Sequence, residues 1–167
     1  MKDMKRLSIL IAVIASMMLT GCGTKRSEAF YAAPSQLLSV NYDGTYVIRV
    51  QVRSRNAAIA RTDGKRKAVE EVIFDGVKAG NSGVSDLKPL TFDMNAREKH
   101  EDYFRVFFQD KGPWENYVSL KDRRTNSSRF QRDGRQMIRT TTVTVDRAAL
   151  RDRLVADGII SPERRYY

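Results

Sequence analysis

The sequence predicts an α+β domain, in which helices pack on one face of a small, largely antiparallel sheet. Residues 46–53 alternate apolar and polar side chains, which is typical of a half-buried strand, and residues 136–145 are rich in β-branched residues, which favours a second strand. Residues 57–77 carry small and aliphatic side chains at helical spacing. The predicted order is strand, helix, helix, strand, strand, helix, and this order favours a sheet that helices cover on one side.

The first strand follows a predicted turn at Asp43 and Gly44. In residues 46–53 apolar side chains occupy every second position, so one face of the strand is expected to be buried. Ser54 or Asn56 is expected to cap the helix that comes next, because both side chains accept hydrogen bonds from free backbone amides.

The first helix is predicted to pack closely on the sheet, because the early part of its inner face is made of small residues. The inner positions are Ala57, Ala60, Gly64, Ala68 and Val72. Close packing is the expected reason for Gly64, since glycine costs about 1 kcal/mol relative to alanine in a helix interior. Gly76 or Gly80 is expected to end the helix, because glycine readily adopts the left-handed backbone found there.

A second, aromatic helix is expected after a loop over residues 80–94, which contain two glycines and a proline. Asn95, with Glu98 three residues later, matches a capping box, so the helix is predicted over residues 96–109. Its buried face is formed by Tyr103, Phe104, Phe107 and Phe108. Trp114, which follows the helix, is expected to join the same core.

Two further strands are predicted over residues 116–121 and 136–145, and the polar residues 122–135 between them are expected to close a hairpin. Asp146 is the predicted cap of a last helix, which Gly158 ends. The apolar side of that helix is formed by Leu150, Leu154 and Val155.

The N-terminus resembles the signal peptide of bacterial lipoproteins. A mostly basic start precedes residues 7–19, about 13 uncharged residues, whereas a membrane-spanning helix needs about 20. Leu19-Thr20-Gly21-Cys22 follows at once and matches the lipobox of that family. The resemblance implies cleavage between Gly21 and Cys22, and a diacylglyceryl group on the Cys22 thiol. It also implies acylation of the new amino group, and two or more acyl chains anchor a protein stably.

This interpretation divides the chain into four parts. They are a signal peptide over residues 1–21, a lipidated Cys22 with its tether over residues 22–43, a single α+β domain over residues 44–160 and a tail over residues 161–167. By resemblance to the best-known sorting rule, Gly23 after the cysteine favours the outer membrane. The next residues lack the acidic stretch that sends some lipoproteins to the cell surface, so the periplasmic side is expected.

Residues 44–160 also resemble a domain of strand, long alanine-rich helix, hairpin and helix. Small outer-membrane lipoproteins and envelope proteins of flagellar assembly share that domain. The resemblance is carried by Gly44-Thr45-Tyr46-Val47-Ile48-Arg49-Val50 and by Ala57, Ala60 and Ala68. The aromatic helix departs from the pattern. The resemblance implies a binding or assembly role, and no site residues transfer with it.

Composition excludes several kinds of site. Cys22 is the only cysteine and His100 the only histidine among 167 residues, so no disulfide, cysteine-based metal site or cofactor is expected. Loss of residues 1–21 removes three bases and one acid, and the formal charge falls from +10 to +8. A basic chain is typical of nucleic-acid binding. Export argues against that partner and favours lipid headgroups, lipopolysaccharide, peptidoglycan or acidic proteins.

Three other groups of residues favour structural interpretations. His100 lies near Glu98 and Asp102, as a metal ligand or general base would, but an exposed helix histidine is the prediction. Residues 76–83 are glycine-rich but lack the Gly-Lys-Ser/Thr ending of a phosphate loop. The first helix interleaves its acids with bases, which predicts a solvated, ion-paired face. Those acids are Asp63, Glu70, Glu71 and Asp75.

The candidate binding surface is a basic segment between the last two strands. Its cations are Lys121, Arg123, Arg124, Arg129, Arg132 and Arg135, against only Asp122 and Asp133. Arginine side chains bind phosphate and carboxylate in a planar, bidentate geometry. A hairpin tip with these residues is therefore a predicted site for an anion or a partner, and a merely soluble loop is the alternative.

The sequence thus predicts a lipid-anchored envelope protein without enzymatic activity. Its expected role is an interaction or assembly module, accessory to a trans-envelope or surface-appendage system, with an envelope protein as partner and no nucleic acid. The alternative is a binder of lipopolysaccharide or peptidoglycan through the basic hairpin. A hydrolase is the third class, and the lack of a cysteine nucleophile and of a second histidine disfavours it. Ser-Lys or paired-acid chemistry depends on side chains that converge only in the folded chain.

Overall fold

The computed structural model describes residues 33–54, 56–121, 130–133 and 136–162, and these form the predicted α+β fold. Their strands are β1 (Gln36–Val40), β2 (Thr45–Arg53), β3 (Lys78–Ala79), β4 (Val118–Leu120), β5 (Phe130–Asp133) and β6 (Gln136–Asp146). Their α-helices are α1 (Ala57–Phe74), α2 (Ala96–Lys99), α3 (Glu101–Phe107) and α4 (Arg147–Ala156), and a 3₁₀ helix covers Pro113–Tyr117.

The sheet is largely antiparallel, with the strand order β3-β1-β2-β6-β4. β2 and β6 form its centre and pair from Thr45↔Asp146 to Arg53↔Ile138. β6 has 11 residues, and its other edge takes two strands, β5 near its start and β4 near its end. Among the described strands only the short β3, beside β1, is parallel to its neighbour.

The alternation in β2 places its core residues on one face of the sheet, as predicted. Ile48, Val50 and Val52 have no exposed surface. The register brings Val143 opposite Ile48, and Val145 opposite the half-buried tyrosine two positions before Ile48. These side chains form one core with apolar residues of α1, α3 and α4. The prediction that helices pack on one face is therefore confirmed for these helices.

The fold begins before residue 44, where the sequence placed the start of the domain. Residues 36–40, assigned to the tether, form β1 and pair with β2 from Gln36↔Arg49 to Val40↔Tyr46. Leu37 is 1% exposed, and its carbonyl accepts a hydrogen bond from the Gly80 amide at 2.8 Å. The tether boundary predicted at residue 43 is therefore wrong, because the burial of Leu37 makes β1 part of the sheet.

Both ends of α1 follow the predicted pattern. Asn56, one of the two expected caps, accepts a hydrogen bond from the Ala58 amide at 2.8 Å. Gly76, one of the two expected terminators, has a φ of +76°. The loop that follows then bonds to the free carbonyls of the last turn, as when the Leu90 amide donates to the Val72 carbonyl at 3.0 Å.

The helix predicted over residues 96–109 is divided into α2 and α3. His100 joins them with φ −120° and ψ 35°, which lies outside the helical region. Asn95 makes no capping hydrogen bond through its side chain, so the capping-box prediction is wrong. Asp93 instead orders this turn, and its Oδ1 accepts a hydrogen bond from the Asn95 amide at 3.0 Å.

The aromatic core around α3 is present as predicted. Phe104 and Phe107 are buried, and the Phe104 ring meets the Phe74 ring edge-to-face at 4.8 Å between centroids. Trp114 is fully buried, and its Nε1 donates to the Gln109 carbonyl at 2.9 Å. The 3₁₀ helix around Trp114 takes up the beginning of the predicted strand, so β4 is shorter than expected.

The polar segment over residues 122–135 is more than a simple connection. β5 lies within it and pairs with β6 from Phe130↔Arg139 to Asp133↔Gln136.

After β6, Asp146 caps α4 as predicted, because its Oδ1 accepts a hydrogen bond from the Ala149 amide at 2.9 Å.

Two glycines of the α1 region differ in the space around them. A Cβ added at Gly64 meets the Thr141 Cβ at 3.5 Å, an ordinary contact, so the close packing expected there leaves room for a methyl group. A Cβ added at Gly76 clashes with the Leu87 carbonyl oxygen, and the positive φ adds strain.

We predict that Gly64→Ala raises the free energy of unfolding by about 1 kcal/mol, because alanine favours the helix. Gly76→Ala should lower it by about 2 kcal/mol or more, through the clash and the left-handed backbone. Urea unfolding followed by circular dichroism measures both. If Gly64→Ala lowered the free energy of unfolding as much as Gly76→Ala does, the space found between helix and sheet at Gly64 would be contradicted.

Candidate functional site

The sheet has a second face, directed away from the described helices, and its side chains are mostly polar. Side chains that are paired across neighbouring strands lie on the same face. The register therefore defines this polar face as Gln36 and Ser39 of β1, Val47, Arg49, Gln51 and Arg53 of β2, Ser119 of β4, and Ile138, Thr140, Thr142 and Thr144 of β6. Lys121 continues the alternation of β4, and its amide donates to the Thr142 carbonyl at 3.2 Å.

The charged residues assigned here to the polar face are all positive: Arg49, Arg53 and Lys121. Arg49 and Lys121 are exposed and flank Thr142 in one row across the sheet. The exposed Gln36 extends this row at the other end, and its Oε1 accepts a hydrogen bond from Arg49 Nη1 at 3.4 Å. The row is thus a line of amide, guanidinium, hydroxyl and ammonium groups across four strands.

The polar face is not uniform along its strands. Towards the β1–β2 turn, Val47 has no exposed surface. In the other direction Gln51 pairs with Thr140, and both side chains are half-buried. The part that offers polar groups to a ligand therefore starts at the Arg49 row and continues towards the end of β2.

The structure places one member of the predicted basic segment, Lys121, beside the polar face. Arg132 lies in β5, where its backbone pairs with Met137. The remaining members, Arg123, Arg124, Arg129 and Arg135, lie outside the described residues. For these four arginines, the predicted anion or partner site at the hairpin tip therefore stays a prediction. Arg49 was not among the predicted site residues, although its place in the alternation of β2 already directed it away from the core.

Two charged residues of α1 form a buried pair, contrary to the predicted solvated face. The Lys67 side chain is 6% exposed and that of Glu71 15%, with 3.4 Å between Nζ and Oε1. Lys67 Nζ also donates to the carbonyl of Ala33 at 3.1 Å. The solvated-face prediction is wrong for this pair, because the chain around Ala33 and the buried Ser35 packs against that part of α1.

Burial raises the pKa of Glu71, while Ser35 and Lys67 act against that shift. Burial also raises the pKa of the neighbouring Glu70, and Arg97 opposes this most strongly, at 3.6 Å from its carboxylate. A raised carboxylate pKa accompanies both catalytic sites and structural ion pairs. The cationic partner beside each carboxylate favours the structural role here.

Other titratable groups are also engaged in holding the fold together. The Tyr103 hydroxyl donates to Asp157 Oδ2 at 2.6 Å, and Arg153 Nε donates to the same oxygen at 2.6 Å, which ties α3 to the end of α4. Both bonds lower the pKa of Asp157. His100, predicted as an exposed helix residue, is half-buried between α2 and α3. Within the described ranges, no three His, Cys, Asp or Glu side chains come together as a metal site.

Comparison with known proteins gives no match to a family model, a curated protein or a solved structure. Among the helices in the described parts of the chain, none combines the length and the apolar character needed to cross a membrane. The features that bear on function are therefore the polar face, the position of the Lys67–Glu71 pair and the N-terminal sequence.

We predict that Lys67→Met lowers the free energy of unfolding at neutral pH by about 3 kcal/mol, because Glu71 is left charged and buried. This loss of unfolding free energy should become smaller as the pH falls. The raised pKa means that the folded chain binds this proton more readily than the unfolded chain does, so protonation favours folding.

The double variant Lys67→Met/Glu71→Leu is the matched control and should lose far less stability, since no charge is left to bury. Urea unfolding at neutral and at mildly acidic pH measures all three chains. Equal losses in the single and the double variant would show that packing, and not the ion pair, is what Lys67 contributes.

Proposed function

We propose that this chain is a lipid-anchored protein of the bacterial cell envelope that acts as a non-enzymatic interaction module. The lipobox over residues 19–22 supports the anchor, and Gly23 supports the outer membrane as its location. The observation that carries the interaction role is the one-sided sheet. Described helices cover its apolar face, while the opposite face presents Arg49, Thr142 and Lys121 in one row.

The position of Ala33 supports a particular orientation at the membrane. Lys67 holds the Ala33 carbonyl beside α1, so the tether reaches the domain on the helix side of the sheet. Eleven residues lead from Cys22 to Ala33 and span at most about 40 Å when fully extended. Lipid on Cys22 would keep the domain within that distance of the membrane, with the polar face directed away from the side where the tether arrives.

Two classes of partner fit such a module. One is an envelope protein, in a role accessory to a trans-envelope or surface-appendage system. The other is an anionic polymer of the envelope, such as lipopolysaccharide or peptidoglycan. The positive charge of Arg49 and Lys121 on the polar face favours the second class, because both groups attract phosphate or carboxylate.

The anchor is tested by replacing residues 1–22 with the signal peptide of a secreted protein that is not lipidated. We expect the exchanged chain in the soluble periplasmic fraction and the native chain in the membrane fraction. Mass spectrometry of the native N-terminal peptide should find acyl chains on Cys22. A free thiol at Cys22 in the native chain would refute the anchor.

The interaction role is tested by a photoactivatable amino acid at Gln36, an exposed position of the polar face. Illumination of intact cells should link Gln36 to a specific envelope component. The same substitution at Glu101, exposed on α3 in the helix layer, is the control and should give no such product. Identical products from both positions, or none from Gln36, would count against the polar face as the docking surface.

A further inference from the structure

We infer that the polar face binds a glycan strand that bears carboxylates. Arg49 and Lys121 contact successive acidic groups of the strand, and the β6 threonines between them bond to sugar hydroxyls. This inference deepens the proposed function and rests on it for the location of the ligand in the envelope. It places the site on the sheet itself, on residues far apart in sequence.

The spacing of the two cations favours a polyanion over a single small anion. Arg49 lies on β2 and Lys121 at the end of β4, with β6 between them. Two strand spacings separate these backbones by about 10 Å. Arg49 turns its guanidinium towards Gln36 on β1, to which it donates at 3.4 Å, and so away from Lys121. Two separate acidic groups of one chain therefore fit this arrangement better than a single carboxylate. The hydroxyl of Thr142, between the two cations, has the capacity to donate and to accept a hydrogen bond.

The chemistry of the face favours a glycan over an acidic protein. Protein interfaces have a centre of apolar and aromatic anchors seated in well-packed pockets. From the Arg49 row to the end of β2, the described residues of the polar face other than the cations offer mainly amides and hydroxyls, as Gln51, Thr140 and Thr142 do. Ile138 is the only aliphatic residue assigned to this part of the face. Such a surface matches a hydroxyl-rich ligand, whose polar groups it can satisfy.

The direction of the face favours a ligand other than the membrane that holds the anchor. Lys67 fixes Ala33 beside α1, and α1 lies on the apolar face of the sheet. In the proposed anchored protein the tether therefore leaves the domain on its helix side. Arg49 and Lys121 lie on the opposite side, away from the point of attachment.

The test uses the full native chain extracted in detergent, with immobilised polygalacturonate as the acidic glycan. Neutral dextran, polyglutamate and mixed micelles with phosphatidylglycerol serve as comparison ligands. The double variant Arg49→Gln/Lys121→Gln removes both cations of the row. Lys88→Gln/Arg105→Gln removes the same charge from exposed positions off the sheet and is the matched control.

We expect the native chain to bind polygalacturonate and not dextran, and binding should weaken as salt rises. The sheet variant should bind at least about a hundredfold more weakly, since two charge-assisted contacts are lost together, and the control should bind as the native chain does. Circular dichroism is the check that both variants are folded.

The inference would be overturned if the folded native chain failed to bind polygalacturonate. Unchanged binding by the sheet variant would also overturn it, because the site would then lie elsewhere. Tighter binding of polyglutamate would point to an acidic protein as the ligand, and displacement of the glycan by the anionic micelles would point to a membrane surface. If photo-crosslinks from Gln36 persist in cells after such a result, the proposed interaction role stands and only the glycan is rejected.

Discussion

The pairing of β2 with β6 is the constraint on which the rest of the structure depends. It joins two distant segments through nine residue pairs, from Thr45↔Asp146 to Arg53↔Ile138. Since side chains alternate faces along a strand, a slip by one residue would turn Ile48 and its core neighbours to solvent and carry Arg49 inwards. Burying polar groups without partners costs several kcal/mol, and this cost holds the register. The register that forms the core therefore also forms the polar face.

The elements that sequence analysis predicted well are those with a local pattern. β2, β6, α1 and α4 each combine periodicity over many residues with a capping or turn residue, such as Asn56 or Asp146. β1 was assigned to the tether because five residues with one buried position, Leu37, show no period, and their place depends on pairing with β2. The break at His100 was not predicted because the aromatic spacing starts only at Tyr103, so it carries no information about the residues before His100.

The candidate site was less predictable than the fold, because its residues meet only through the sheet. The many arginines in residues 121–135 predicted a binding site within that segment. The exposed cations of the described polar face are instead Arg49 and Lys121, which are 72 positions apart. The burial of Lys67 and Glu71 also depends on a distant segment. At i and i+4 they match an ordinary solvated pair, and only the return of the chain past Ala33 covers them.

In the proposed anchored protein, α1 connects the anchor to the polar face. This helix covers the apolar face of the sheet, and through Lys67 it also holds the end of the tether. If Ala33 were released, tension on the proposed lipid anchor would act directly on β1, whose pairing with β2 includes Gln36↔Arg49 on the polar face. Because the Lys67 contact lies ahead of β1 in the chain, it would take that load first. Under the proposed anchoring, a buried ion pair that seldom adds net stability would therefore have a mechanical role, which is to protect the register of the polar face.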